Sequence, residues 1–203
     1  MLLTPGPTPV PEFVRKAMSD ITIHHRTEEF EAIFKNTREL LIEIYDMPEV
    51  VMLASSGTGA MEACVTNLTH KKALTINSGK FGERFGKICA AFGIDYTEIK
   101  NEWNTPVSVE AVINAIKADS SIDAVFIQIC ESAGGLRHPV ELLAAEIKKI
   151  NKDITIVADG ITAVGVEKID TTNLDAVVTG SQKALMLPPG LAMIGFSNAA
   201  VAK

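Results

Sequence analysis

Disulfide chemistry is the first thing this sequence lacks. Its three cysteines, Cys64, Cys89 and Cys130, are odd in number and form no CxxC pair. They read as reduced, buried thiols of a cytoplasmic protein. Metal-ligand clustering is also missing: His24 and His25 are adjacent rather than helically spaced, which argues against a zinc site. No apolar run approaches the roughly 20 residues that a membrane span needs. Met1-Leu2-Leu3-Thr4-Pro5 shows no basic region followed by an apolar stretch, so no export signal is read there. Excess positive charge is absent too. The formal net charge of −6 argues against nucleic acid or an anionic membrane as the main partner. No internal repeat, low-complexity run or charge block breaks the chain.

What remains is the composition of an ordinary soluble domain. The 203 residues are 47% hydrophobic and 22% charged, enough for one domain with a sizeable core. Leu3-Thr4-Pro5-Gly6-Pro7-Thr8-Pro9 cannot be helical and reads as an extended, turning arm. The arm is either a plain linker or a strap over a site or a partner subunit. Pro11 opens a short helix, Glu12 to Met18. Thr27 is set to cap a helix running to about Tyr45, with apolar residues at Phe30, Ile33, Phe34, Leu40, Leu41 and Ile44. His25 and Arg26, just before it, are surface residues or a basic pair facing an anionic substrate.

Strands and helices then alternate. Val50–Ala54 is a strand leading into Ser55-Ser56-Gly57-Thr58-Gly59 and a helix from Ala60 to about Leu68. Such a turn is either merely tight or an anion cradle, in which backbone N–H groups and a helix N-terminus surround a phosphate. It is not a Walker loop, because no Gly-Lys-Ser/Thr follows. Ala73–Asn77 is a strand, and Ser78-Gly79-Lys80-Phe81-Gly82 turns into a helix through about Phe92. Phe81 either caps the core from its loop or presents a ring face to an aromatic ligand. Ile94–Ile99 is a strand, and Ser108 caps a helix from Val109 to about Ala118. The buried strand Ala124–Ile129 ends in Glu131-Ser132-Ala133-Gly134-Gly135. Glu141–Ile150 is helical. The strand Ile154–Ala158 ends at Asp159-Gly160, which is an Asx turn or a charged group aimed from a strand end. Leu174–Val178 is a strand leading to Thr179-Gly180-Ser181-Gln182-Lys183, and Pro188-Pro189-Gly190 then turns the chain into Leu191–Phe196.

Five-residue strands with little polar alternation read as buried on both faces beneath helices, so the fold class is α/β. Four strand-end loops then carry distinct chemistry: Ser56-Gly57-Thr58 for an anion, Phe81 for a ring face, Asp159 for a cationic nitrogen, Lys183 for a nucleophilic amine. Loops of this kind line the crevice at the carboxyl edge of an α/β sheet. Together they meet the needs of pyridoxal 5'-phosphate (PLP): a phosphate cradle, a stacking partner, a carboxylate for the pyridine nitrogen and a lysine for the aldehyde.

The order Thr4-Pro5-Gly6-Pro7, Ser56-Gly57-Thr58-Gly59, Gly82-Glu83-Arg84, Glu131-Ser132, Asp159, Ser181-Gln182-Lys183 and Pro188-Pro189-Gly190 resembles the class V, fold type I PLP-dependent aminotransferases, in particular the alanine–glyoxylate and serine–pyruvate branch. The resemblance spans the whole chain. It implies a three-layer large domain, with a mainly parallel sheet between helices, divided as an arm and short helix over 1–20 and an incomplete PLP-binding domain over 21–203. It implies that Lys183 is the Schiff-base lysine and proton shuttle, and that Asp159 pairs with the pyridine nitrogen. Phe81 takes the ring-stacking position, where many relatives carry tryptophan. Ser56, Gly57, Thr58 and Gln182 bind the phosphate, and Ser132 the ring substituents. Ala133-Gly134-Gly135 stands where relatives have Ser-Thr-Gly, so the loop lacks two side-chain hydroxyls that the relatives carry.

The implied reaction moves an amino group between a small amino acid and a 2-oxo acid, in a cytoplasmic homodimer. Alternatives are a cysteine desulfurase-like or other PLP lyase, and a truncated homologue serving only as a binding or assembly module. The lyases usually carry histidine before the lysine and over the ring, so Gln182 and Phe81 favour a transaminase. The resemblance also implies that a C-terminal small domain and the arginine gripping the substrate carboxylate lie outside these residues. Arg26 is the one substitute the sequence offers. By the same reasoning, Leu191–Phe196 is expected to leave an apolar face uncovered.

Overall fold

A computed structural model describes residues 4–203; Met1–Leu3, which include the start of the arm and of the region read for an export signal, lie outside the described residues. The strands are β1 (Glu49–Leu53), β2 (Lys72–Asn77), β3 (Tyr96–Lys100), β4 (Ile122–Gln128), β5 (Cys130–Glu131), β6 (Leu136–Arg137), β7 (Thr155–Asp159), β8 (Ala176–Gly180) and β9 (Ala192–Phe196). The helices are α1 (Glu12–Ala17), α2 (Glu28–Tyr45), α3 (Gly57–Leu68), α4 (Gly82–Phe92), α5 (Val109–Ala118), α6 (Val140–Ile150) and α7 (Asn198–Val201).

Seven strands form one sheet in the order β1-β9-β8-β7-β4-β2-β3, and β5 and β6 make a separate two-residue hairpin. The pairs β8–β7, β7–β4, β4–β2 and β2–β3 are parallel. β9 runs antiparallel to both neighbours, β8 and β1. Two reversals restore the direction, so β1 points the same way as β8. The loops after β1, β2, β4, β7 and β8 therefore all leave from one edge of the sheet.

The apolar runs explain the layering. On a strand, successive side chains point to opposite faces. Val125, Ile127, Ile156, Ala158 and Val177 join one core cluster with Leu41 and Tyr45 of α2, Val112 and Ile116 of α5, and Leu143 and Ile147 of α6. Ala124, Phe126, Val157, Ala176 and Val178 join a second cluster with Met61, Cys64 and Val65 of α3 and Phe85 and Ile88 of α4. Each central strand thus feeds two cores, and helices cover both faces. Polar caps set two helix starts as the sequence predicts: Thr27 and Ser108 accept from the N–H groups of Phe30 and Ala111. Ser56 also caps, accepting from Gly59 N–H, so α3 begins at Gly57 and not at the expected Ala60.

One further expectation is corrected. The strand Leu191–Phe196 does not present an uncovered face. As β9 it lies inside the sheet between β1 and β8, and Ala192, Met193 and Ile194 are buried. Apolar side chains are left exposed beside it, at Val51, Leu191 and Val201, and along α2, where only Leu41 and Tyr45 are buried. Ile33, Phe34, Leu40 and Ile44 are 45–51% exposed, and Phe13 of α1 is 75% exposed.

Candidate active site

The cleft at the carboxyl edge of the sheet is built from the strand-end loops. Ser56, Gly57, Thr58, Phe81, Ser132, Asp159, Gln182 and Lys183 all line it, joined by Arg84, Cys130, Ile161 and Thr162. Every residue singled out for a cofactor role from the sequence is thereby brought to one place. Arg26 and His25 are not. Both are exposed, and Arg26 N–H turns back to His24 Nδ1 at 3.2 Å.

Lys183 is presented by a loop locked from within. Buried Ser181 donates its Oγ–H to the Pro188 carbonyl at 2.6 Å and accepts the Leu191 N–H at 3.3 Å, closing the Pro-Pro-Gly turn. Burial lowers the Lys183 pKa below the ordinary lysine value, with Asp159 opposing the shift. The amine is therefore more readily neutral, as a nucleophile or base requires.

Asp159 ends β7 and is 4% exposed. Its Oδ1 accepts the Ile161 N–H at 2.9 Å, so it makes an Asx turn and faces the cleft as well. Burial is the chief cause that raises its pKa to about 6; the Ile161 N–H, Arg84 and Lys183 pull it down, and Glu131 pushes it up. A cationic nitrogen brought against this carboxylate would relieve the cost of its burial.

The first turn of α3 offers the anion site. Ser56 caps the helix through Gly59 N–H, leaving the N–H groups of Gly57 and Thr58 without an acceptor among the described residues. A Cβ on Gly57 would lie 2.4 Å from Ile161 Cδ1, so a side chain there would push Ile161 into the cleft wall. Orphan donors and a helix dipole at one point suit a phosphate.

Arg84 was not assigned a role from sequence. Its Nη1 donates to Thr58 Oγ1 at 2.9 Å, and its guanidinium carbon lies 4.9 Å from the centre of the Phe81 ring. The signal lies in the spacing: three residues past Phe81 at a helix start is the same face.

The N-terminal arm is a strap on its own chain's cleft. Thr8 N–H donates to the Gln182 carbonyl at 3.0 Å, and Thr8 Oγ–H to the Lys183 carbonyl at 2.8 Å. Gly6 packs on the lysine side chain: a Cβ on it would lie 2.4 Å from Lys183 Cδ and 3.0 Å from Nζ. Ala133 contributes through its backbone, donating N–H to Glu131 Oε1 at 3.2 Å.

A parallel-rich sheet between helices, with an amine, a buried carboxylate and an anion cradle at its carboxyl edge, defines a large-domain architecture of the fold type I transferases. Comparison with known proteins makes the assignment specific. Residues 2–203 match the family model described as Aminotransferase class-V, and the chain belongs to that family. An uncharacterized aminotransferase from Helicobacter pylori strain J99 is 50% identical over 201 residues, which are 99% of this chain and 54% of the relative. L-aspartate–glyoxylate aminotransferase from Paracoccus denitrificans is 30% identical over 98% of this chain and 52% of its own length. The crystal structure of an aspartate aminotransferase of subgroup IV from Thermus thermophilus superposes with a TM-score of 0.91 at 32% identity, covering 98% of this chain and 57% of that one. The chain spans about half the length of the curated relatives it matches.

Among the described residues, no group of three or more His, Cys, Asp or Glu side chains could hold a metal ion, and no helix is long and apolar enough to cross a membrane.

Proposed function

We propose that this chain forms the cofactor-binding domain, over residues 21–203, of a PLP-dependent aminotransferase, with residues 1–20 as its arm and short helix. The observation that carries this reading is one cleft in which Lys183, buried Asp159 and the unpaired N–H groups of α3 converge. PLP supplies, when bound, an electron sink for the charge left when a substrate loses its α-proton. Gly57, Thr58, Ser56 and Gln182 hold its phosphate, and Ser132 meets its ring substituents. Phe81 covers one face of the ring. Asp159 keeps a proton on the pyridine nitrogen. Lys183 would tether the cofactor at its carbonyl carbon through Nζ and, once displaced by the substrate's amine, would hold and move the proton at the substrate α-carbon.

The substrates are a small amino acid and a 2-oxo acid, of the alanine or serine to glyoxylate or pyruvate type. The glyoxylate-dependent relatives from Paracoccus denitrificans and Methylorubrum extorquens support this class. Arg84 is the only arginine lining the cleft among the described residues, and it is engaged with Thr58 and Phe81. The substrate carboxylate therefore needs a cation from elsewhere, and residues 1–203 alone turn over slowly if at all. The apolar face of α2 is the homodimer contact. Three free cysteines suit a reducing cytoplasm.

The test is single-turnover absorbance with alanine, serine and aspartate, on residues 1–203 and on the full natural chain. Conversion of bound pyridoxal to pyridoxamine phosphate by the full chain supports the reading. Failure with every amino acid overturns it, and equal rates for both forms overturn the missing cation.

A further inference from the structure

The reaction proposed above makes no use of Glu131, a carboxyl side chain with no exposed surface. It lies at the carboxyl edge beyond β4 and reaches across to the start of α4. Its Oε2 accepts the N–H groups of Phe81 at 2.9 Å and Gly82 at 2.8 Å, while Oε1 accepts Ala133 N–H at 3.2 Å. Phe81 occupies the N-cap position of α4 and offers no side-chain cap. Glu131 does that work from 50 residues away, satisfying orphan donors and placing a negative group at the positive end of the helix. Gln128, equally buried, holds the other side of the same peptide: its Nε2 donates to the Phe81 carbonyl at 3.1 Å. The turn is shaped to admit the carboxylate. A Cβ on Gly79 would lie 2.6 Å from Glu131 Cγ, and one on Gly82 would lie 2.9 Å from the Ile76 carbonyl oxygen.

From this geometry we infer that Glu131 is a positioning residue, which with Gln128 clamps the Phe81–Gly82 backbone and so aims the Phe81 ring and the Arg84 guanidinium into the cleft. The clamp acts through Phe81 and not by contact with a ligand. Loss of its hydrogen bonds frees the turn to move the ring off its seat, while the strands beneath keep their own ladders. The functional consequence rests on the cleft being the PLP site; the clamp itself does not.

The experiment uses the full natural chain and the variants Glu131→Ala, Glu131→Gln, Phe81→Ala and Glu131→Ala/Phe81→Ala. Amide hydrogen exchange without cofactor reads the clamp. In Glu131→Ala the Phe81 and Gly82 amides should exchange at least about tenfold faster, as loss of a charged acceptor implies, with β4 unchanged. Glu131→Gln keeps one acceptor oxygen and should stay within about threefold at Phe81 and Gly82. PLP titration followed by absorbance reads the consequence. Glu131→Ala should weaken binding by about tenfold, and the double variant should be no weaker than the worse single, because both changes act through one ring. Unchanged exchange at Phe81 and Gly82, or losses that multiply in the double variant, overturn the inference. If Glu131→Ala does not fold, Glu131→Asp, one methylene too short to reach both loops, is judged by the same two readings. A parent chain that takes up no PLP overturns the cofactor reading, and the exchange data still decide the clamp.

Discussion

The cleft edge of the sheet and the α1–α2 face contrast in how far this chain completes them. At the edge, polar groups are buried and most are answered within the chain: Glu131 by three N–H groups, Ser181 by Pro188 and Leu191, Asp159 by Ile161. On α2, four large apolar side chains, Ile33, Phe34, Leu40 and Ile44, stand about half in water. A domain can tolerate exposed carbon, which costs roughly 25 cal/mol for each Å² left uncovered. It tolerates unpaired buried polar groups far less, at about 1–3 kcal/mol each. The edge is therefore finished by local necessity, and the α2 face is left for something else to cover.

The largest break in this contrast is at the amine. Lys183→Ala should cut transamination by about 10³-fold, the scale of a lost proton-transfer group. Borohydride reduction of the parent followed by peptide mapping should place the cofactor on Lys183; labelling of another lysine would sink the assignment.

Next comes Asp159→Asn, with turnover lowered roughly 10²-fold and PLP binding lowered less, since the α3 cradle remains. The same variant should stabilise the cofactor-free chain at neutral pH. The Asp159 pKa is raised in the folded state to about 6 from an ordinary value of 3.8. The folded state therefore holds the proton over the range where the unfolded state has lost it, and stability falls as pH rises from about 4 to about 6. Asparagine removes that loss, so thermal melts at pH 7.5 should rise relative to the parent and converge with it near pH 4. A melt that is lower at pH 7.5 would mean that the carboxylate is no burden in the free protein.

Gly6→Ala should have a smaller effect. Its Cβ would press on Lys183 Cδ, so either the arm lifts or the amine shifts. Turnover should drop about tenfold with little change in melting temperature, since misplacement rather than unfolding is the fault. Equal kinetics would show that the arm yields freely.

The smallest effect on chemistry is expected on the other side of the comparison. Leu40→Lys and Ile44→Lys should leave PLP binding by the cleft within about twofold, because neither residue lines it. Sedimentation should show weaker self-association, as a charge in an apolar contact demands. An unchanged oligomeric state would remove α2 from the interface.

Legibility followed the range of the forces involved. The helix starts at Thr27 and Ser108 were readable because a cap is a contact between neighbours three residues apart; the start of α3 at Ser56 was read three residues late, because the glycines after it look like a turn. The strands of the seven-stranded sheet were readable as short apolar runs between Gly and Ser turns, although β3 begins at Tyr96 rather than Ile94 and the short β5–β6 hairpin was not read. The strand-end placement of Ser56, Phe81, Asp159 and Lys183 was readable for the same reason, and alternation of strand and helix sufficed to bring them to one edge.

Other features have no local signature. Nothing near Leu191–Phe196 says that the strand inserts antiparallel between β8 and β1, because the choice is made by pairing with residues as distant as Glu49. Nothing near Glu131 says that it caps a helix begun 50 residues earlier, and nothing near Thr8 says that it bonds to the Lys183 carbonyl 175 residues on. Periodicity, caps and turn chemistry are local free energies, so the sequence alone determined the longer elements and the loops that follow the central strands. Strand order, the strap over the lysine and the uncovered face of α2 depend on which distant surfaces exclude water from one another, and only the folded chain decides that.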